Sequence, residues 1–180
     1  EFRRVLFRSW RGPGGPIVLC WRPVGMLQAA DWRLYLEAVA SLAEQADRPV
    51  LWLPFHREQD STLLEDLHQR GLLPPGLLAR SSTMRPETPA EAIELFSQAS
   101  LVVAMRLHGL IMAALAGAPV AALSYDPKVA AAAAAMAPQR PRRDRIGRRP
   151  GRCGGSDMTA LIGTPVLRLE DPALLMAELA

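Results

Sequence analysis

The 180 residues can bury one sizeable core, and 49% hydrophobic with 22% charged content places the chain among soluble globular proteins. A net charge of +3 and a pI near 9.4 would ordinarily point to nucleic acid, but the excess sits in two flanks. Residues 138 to 152 carry seven arginines against Asp144, a net of +6, and residues 1 to 9 a net of +2, which leaves −5 for the remainder.

Cys20 lies in an apolar run and Cys153 in a glycine-rich stretch, with no spacing that suggests a metal site or redox pair. A reducing compartment is the simpler expectation. No uninterrupted apolar stretch approaches the roughly 20 residues of a membrane span. Glu1 to Gly15 also lacks the apolar centre of a signal peptide. These features together predict a cytoplasmic protein.

Residues 1 to 15, with four arginines and Gly12-Pro13-Gly14-Gly15, have no period that would bury a face and read as a non-native extension or a linker. Ile17 to Trp21 is an apolar run of strand length, stopped at Arg22-Pro23 because proline cannot donate to a ladder. Asp31 then offers a cap to a helix from Trp32 to about Ala46, with Trp32, Tyr35, Leu36, Val39, Leu42, Ala43 and Ala46 on one face. Val50 to Leu53 predicts a second strand, His56 to Asp60 its loop, and Ser61 to Arg70 a helix stopped by Gly71.

Leu77-Leu78-Ala79 predicts a short strand, and Thr88 with Pro89 and Glu91 a capping-box start for a helix to about Ala99. Strands at Leu101 to Ala104 and Val120 to Leu123, with helices after His108 and after Lys128, complete the alternation. The run Ala130 to Ala135 is a strong helix former and has no functional reading of its own. Alternating strands and helices imply right-handed crossovers and a largely parallel α/β sheet.

After Met136 this pattern stops. Residues 137 to 155 are rich in arginine, proline and glycine and have neither period. A reading-frame error in GC-rich coding sequence and an authentic basic loop would both give this composition, and the abruptness of the change favours the first. Leu161 to Leu169 and a helix from Asp171 to Leu179 look ordinary again. The expected organisation is an extension over 1–15, a Rossmann-like domain over 16–136, an irregular basic segment over 137–160, and a final strand and helix over 161–180.

Two apolar runs end in polar clusters: Met105-Arg106-Leu107-His108-Gly109, and Ser124-Tyr125-Asp126-Pro127-Lys128. In an open α/β sheet these clusters fall at strand carboxyl ends, where loops meet the amino ends of helices and ligands bind. Arg106 and His108 would point the same way if the loop is extended with a period of two, and Gly109 would let a helix amino terminus approach an anion. The plainer alternative pairs Arg106 with a structural carboxylate such as Asp126 and buries His108. Lys128 at a helix start opposes the helix dipole, which costs a few tenths of a kcal/mol unless an anion is near. Paired instead with Asp126 it would be an ordinary surface residue. Ser124 and Tyr125 could equally hydrogen-bond their own loop.

Arg106-Leu107-His108-Gly109-Leu110, Ala116-Gly117-Ala118-Pro119-Val120 and Leu123-Ser124-Tyr125-Asp126-Pro127-Lys128-Val129 together resemble the polysaccharide pyruvyl transferase family, closest to its bacterial cell-wall members. Looser matches lie at Trp21-Arg22-Pro23 and at Leu53-Pro54-Phe55-His56 with Asp60. Such enzymes move pyruvate from phosphoenolpyruvate onto a sugar to make a ketal. The resemblance implies the carboxyl-terminal, donor-binding half of a two-domain enzyme of glycosyltransferase-B type, with the amino-terminal domain missing.

It also implies His108 as the catalytic residue that gives or takes the proton, and Arg22, Arg106, Lys128, Ser124 and Tyr125 as substrate-binding residues. Arginine suits a carboxylate and a phosphate because its planar donors are two-pronged. The implied partners are phosphoenolpyruvate as donor substrate and a sugar or lipid-linked glycan as acceptor. A lipid-linked acceptor would place the work at the inner face of the membrane. No cofactor is expected, and neither a metal cluster nor a glycine-rich phosphate loop stands in the sequence.

His56 and Asp60 would border the cleft unless Asp60 merely caps the helix from Ser61, and His68 reads as a surface residue. Two other functions compete. One is a nucleotide-sugar glycosyltransferase of the same architecture. The other is a non-enzymatic nucleic-acid binder using the arginine-rich segment, disfavoured because no aromatic residues interleave those arginines.

Overall fold

The structure, a computed structural model, describes residues 15–124, 126–136 and 166–168, and every structural statement concerns these. The expected extension up to residue 14, Tyr125, the basic segment 137–160 and the helix from Asp171 lie outside the described residues.

Six strands form one sheet: β1 (Ile17–Cys20), β2 (Val50–Trp52), β3 (Ser81–Thr83), β4 (Leu101–Ala104), β5 (Val120–Ser124) and β6 (Val166–Arg168). All pairings are parallel and the order is β3-β2-β1-β4-β5-β6. This is the doubly wound, Rossmann-like α/β arrangement the alternation predicts. The chain winds outward one way through β1, β2 and β3, then returns to β4 beside β1 and winds the other way.

Strand residues alternate strictly between two apolar layers, because successive side chains of a pleated strand leave opposite faces. Ile17, Leu19, Trp21, Val50, Trp52, Val103, Met105, Ala121 and Leu123 face one layer. It is covered by α1 (Ala29–Gln45), α3 (Leu63–Gln69) and α4 (Pro75–Arg80) through Trp32, Tyr35, Leu67 and Leu77. Val18, Cys20, Leu51, Leu53, Val102, Ala104, Val120 and Ala122 face the other. There α5 (Pro89–Phe96), α6 (Leu107–Leu115) and α7 (Pro127–Met136) pack through Phe96, Leu110, Ala113 and Val129. A parallel sheet buried on both faces requires continuous apolar runs, which is why the strands read so clearly.

Helix ends follow local chemistry. Thr88 caps α5 as expected, its Oγ1 accepting from Glu91 N at 3.2 Å. Gly71 and Gly117, at φ 64° and 70°, end α3 and α6 in the left-handed conformation that closes a helix. The α1 cap differs from expectation. Helix α1 begins at Ala29, and Asp31 sits in its first turn, accepting from Gln28 N at 2.8 Å.

Two further expectations are corrected. Leu77-Leu78-Ala79 lies in helix α4, where Pro75 starts the helix and Leu77 enters the core; the strand follows at Ser81–Thr83. That strand is at the sheet edge and largely exposed, so it needs no apolar residues and gave no hydrophobic signal. The stretch expected as a loop then a helix is split differently, into a one-turn helix α2 (Arg57–Asp60) and α3. Asp60 is buried and does not cap α3; its carboxylate is taken by Arg106 and by backbone amides before α2.

Candidate functional site

The carboxyl ends of β1 and β4 lie side by side where the winding direction reverses, the place an open α/β sheet leaves a crevice. β1 runs on through Trp21 to Arg22, and β4 through Met105 to Arg106. The amides of Met105 and Arg106 both donate to the Cys20 carbonyl, at 3.0 and 3.2 Å. The Arg106 backbone is thereby pinned against the end of β1.

Its guanidinium meets Asp60. Arg106 Nε donates to Asp60 Oδ2 at 3.0 Å, Nη2 donates to Asp60 Oδ1, and Nη2 also donates to Gln59 Oε1 at 3.1 Å. Asp60 Oδ2 further accepts from the amides of Phe55 and His56, at 3.2 and 2.9 Å. The Asp60 side chain is 0% exposed and that of Arg106 16%. Because β1 lies between β2 and β4, this pair reaches from the segment after β2 across the end of β1. The structural carboxylate considered for Arg106 was Asp126; the partner found is Asp60.

Gly109, in the first turn of α6, sits where a Cβ would come within 2.8 Å of Cys20 Cβ, 3.0 Å of its Sγ and 3.2 Å of Phe55 Cε2. The glycine admits the helix to the sheet, so its expected service to an anion is not what its surroundings show. Phe55 is stacked on Phe96 of α5, centroids 6.2 Å apart, which ties the segment after β2 to that helix.

Cys20 is buried, and desolvation followed by the charge of Asp60 pushes its thiol well above the ordinary value of 9.0. It is therefore a packing group and not a nucleophile. Iodoacetamide at neutral pH should leave Cys20 unmodified in the native chain and alkylate it only in denaturant, as read by peptide mass. The folded thiol keeps its proton where the unfolded chain has lost its own, so this contribution to stability falls as pH rises past 9.0.

Arg106 is the residue before α6, with φ −88° and ψ 127°, and the helix already begins at Leu107. Arg106 and His108 therefore do not share an extended loop, and a period of two does not apply to them. His108 is exposed in the first helical turn. Asp126 caps α7, its Oδ1 accepting from Lys128 N at 2.8 Å, so the Asp126–Lys128 contact runs through the backbone. The Lys128 side chain is exposed. Ser124 ends β5 with its hydroxyl donating to the Asp126 carbonyl at 3.2 Å, the loop-bonding alternative for that residue. Tyr125 lies outside the described residues. Arg22 is half-buried, its Nε 3.4 Å from the Pro23 carbonyl that accepts from it.

Beyond Arg22 a groove of ≈250 Å³ runs past Pro23 and Leu27 toward Asp66 and Arg70 of the α3 region. Under the same edge, the indole N–H of Trp21 is buried with no hydrogen-bond partner, beside Trp32, Tyr35 and Trp52. Among the described residues no group of three His, Cys, Asp or Glu could hold a metal ion. No described helix is long and apolar enough to cross a membrane. Sequence reasoning missed Gln59 altogether and left the role of Asp60 open. The available signal was an acidic residue four positions after His56, in a segment that must reach the edge of its own sheet.

The fold and this edge define a doubly wound α/β domain with arginines closing two adjacent strands at the switch point. The family model for polysaccharide pyruvyl transferase matches residues 22–127, more than half of the chain and nearly all of the described domain. The chain belongs to the polysaccharide pyruvyl transferase family. Comparisons with curated proteins and with solved structures returned no match.

Proposed function

We propose that this domain binds phosphoenolpyruvate for pyruvyl transfer to a sugar of a cell-wall or exopolysaccharide, within a larger cytoplasmic enzyme. The observation that carries the reading is the juxtaposition of Arg22 and Arg106 at the ends of neighbouring strands, beside the first turn of α6. A donor with a carboxylate and a phosphate is held best by fixed cations at a helix amino terminus. Arg22 and Arg106 would take these two groups, with Lys128 and Ser124 approaching from the end of β5 and the start of α7; Tyr125, between them in the sequence, is a further candidate for binding.

The reaction protonates the methylene carbon of the enol, which leaves a cationic centre at the adjacent carbon. One sugar hydroxyl attacks that centre and gives up its proton. The carbon–oxygen bond to phosphate then breaks, and a second hydroxyl of the same sugar closes the ketal with loss of its own proton. His108 would carry one of these protons, being the imidazole nearest Arg106 in the chain. No cofactor enters this scheme. The acceptor half of the cleft, for a sugar or lipid-linked glycan, would come from a second, amino-terminal domain in the glycosyltransferase-B manner.

Phosphoenolpyruvate titrated into the labelled chain is expected to move the amide resonances of residues 106–110 and 126–129 at ligand concentrations on the order of millimolar. His108→Ala should leave this binding within a few-fold of the parent, because its proposed work is proton transfer. Stillness of those resonances, or equal shifts with a nucleotide diphosphate, would overturn the assignment.

A further inference from the structure

We propose that Asp60 is a positioning residue, which aims Arg106 so that a donor anion meets the outer edge of its guanidinium at Nη1 and Nη2. The inference rests on the donor-binding reading above. A guanidinium offers several edges with two donors each. Asp60 takes the edge formed by Nε and Nη2, and its carboxylate cannot follow Arg106 elsewhere, since the amides of Phe55 and His56 hold it to the segment after β2. What remains is Nη1, which has no acceptor among the described residues, and the second hydrogen of Nη2, given to Gln59 Oε1. Gln59 is exposed and Asp60 is not. The outward prong is thus held by a side chain that a ligand can displace, and the inward one by a side chain that it cannot.

Donors fixed in advance need no reorganisation when the anion arrives, and that is what a pair of this kind supplies. The simple charge argument gives the opposite sign. A carboxylate against Arg106 cancels part of its field, so if Asp60 were only structural, neutralising it would leave anion affinity unchanged or raise it.

The test measures phosphoenolpyruvate affinity of the full chain and its Asp60→Asn and Gln59→Ala variants, together with the guanidinium nitrogen resonances of Arg106. Asp60→Asn is expected to weaken binding about tenfold, the order of one lost charge-assisted hydrogen bond. Gln59→Ala, an exposed change that leaves Asp60 in place, should tighten it about threefold by removing a competing acceptor. Unchanged or tighter binding in a folded Asp60→Asn overturns the proposal. Should Asp60→Asn not fold, Gln59→Ala decides, and no gain there overturns it.

The parent chain should also show a distinct, slowly exchanging Arg106 Nε–H. If phosphoenolpyruvate fails to bind the parent while this signal is present, the donor assignment falls and the orienting contact stands. If the signal is averaged with those of exposed arginines, the positioning itself falls.

Discussion

Asp60→Ala should destabilise the domain by about 3–5 kcal/mol, the range for removing one partner of a buried ion pair. Three donors lose their acceptor at once: the Arg106 guanidinium and the amides of Phe55 and His56. Urea unfolding followed by circular dichroism measures the loss. The pair is not expected to be worth that much as an attraction, because taking both charges out of water offsets most of it. The double change Asp60→Leu with Arg106→Met should therefore cost clearly less than Asp60→Ala alone. A loss under about 1 kcal/mol for the single change would mean that water satisfies the freed donors and that the contact behaves as an exposed ion pair.

Gly109→Ala should cost about 1–3 kcal/mol, the usual penalty for an added methyl in a filled space. The new methyl would stand 2.8 Å from Cys20 Cβ, and neither β1 nor the stacked Phe55–Phe96 pair can retreat cheaply. The first turn of α6 must move outward, and it carries His108. Phosphoenolpyruvate binding should therefore fall by more than the loss of folded protein explains. Cys20→Ala combined with Gly109→Ala should recover part of the stability, because the Sγ at 3.0 Å is removed. An undiminished melting temperature in Gly109→Ala would show that α6 stands off the sheet.

The strands were legible because a sheet covered on both faces leaves no polar alternative for their side chains, and four of six appear as apolar runs at Ile17, Val50, Leu101 and Val120. β3 was not legible as such, since an edge strand of Ser81-Ser82-Thr83 has no pattern, while its apolar neighbours Leu77 and Leu78 belong to a helix. Placement of Arg22, Arg106 and Ser124 at one sheet edge followed from strand ends alone.

The direction in which Arg106 points did not. It is set by Asp60, 46 positions away in sequence and two strands away in the sheet, and no local period encodes that contact. Local geometry also misled at His108. A helix that starts at Leu107 looks like a loop when the eye stops at a polar run. Gly109 shows a related ambiguity, since a glycine in the first turn of a helix suits both an anion and a neighbouring strand, and only the distance to Cys20 separates them.

Trp21, Trp32 and Trp52 stand together in a single apolar layer, ring centroids 5.7 and 6.0 Å from Trp21 to its two neighbours. Indole rings at such spacing exchange excitation and share their near-ultraviolet bands. Light emitted by these three during a melt therefore reports on the helices over Trp21, while α6, α7 and the histidine they bring remain optically silent. Any loosening confined to the opposite layer would pass unseen in the emission of these three and surface first as a drop in ligand affinity.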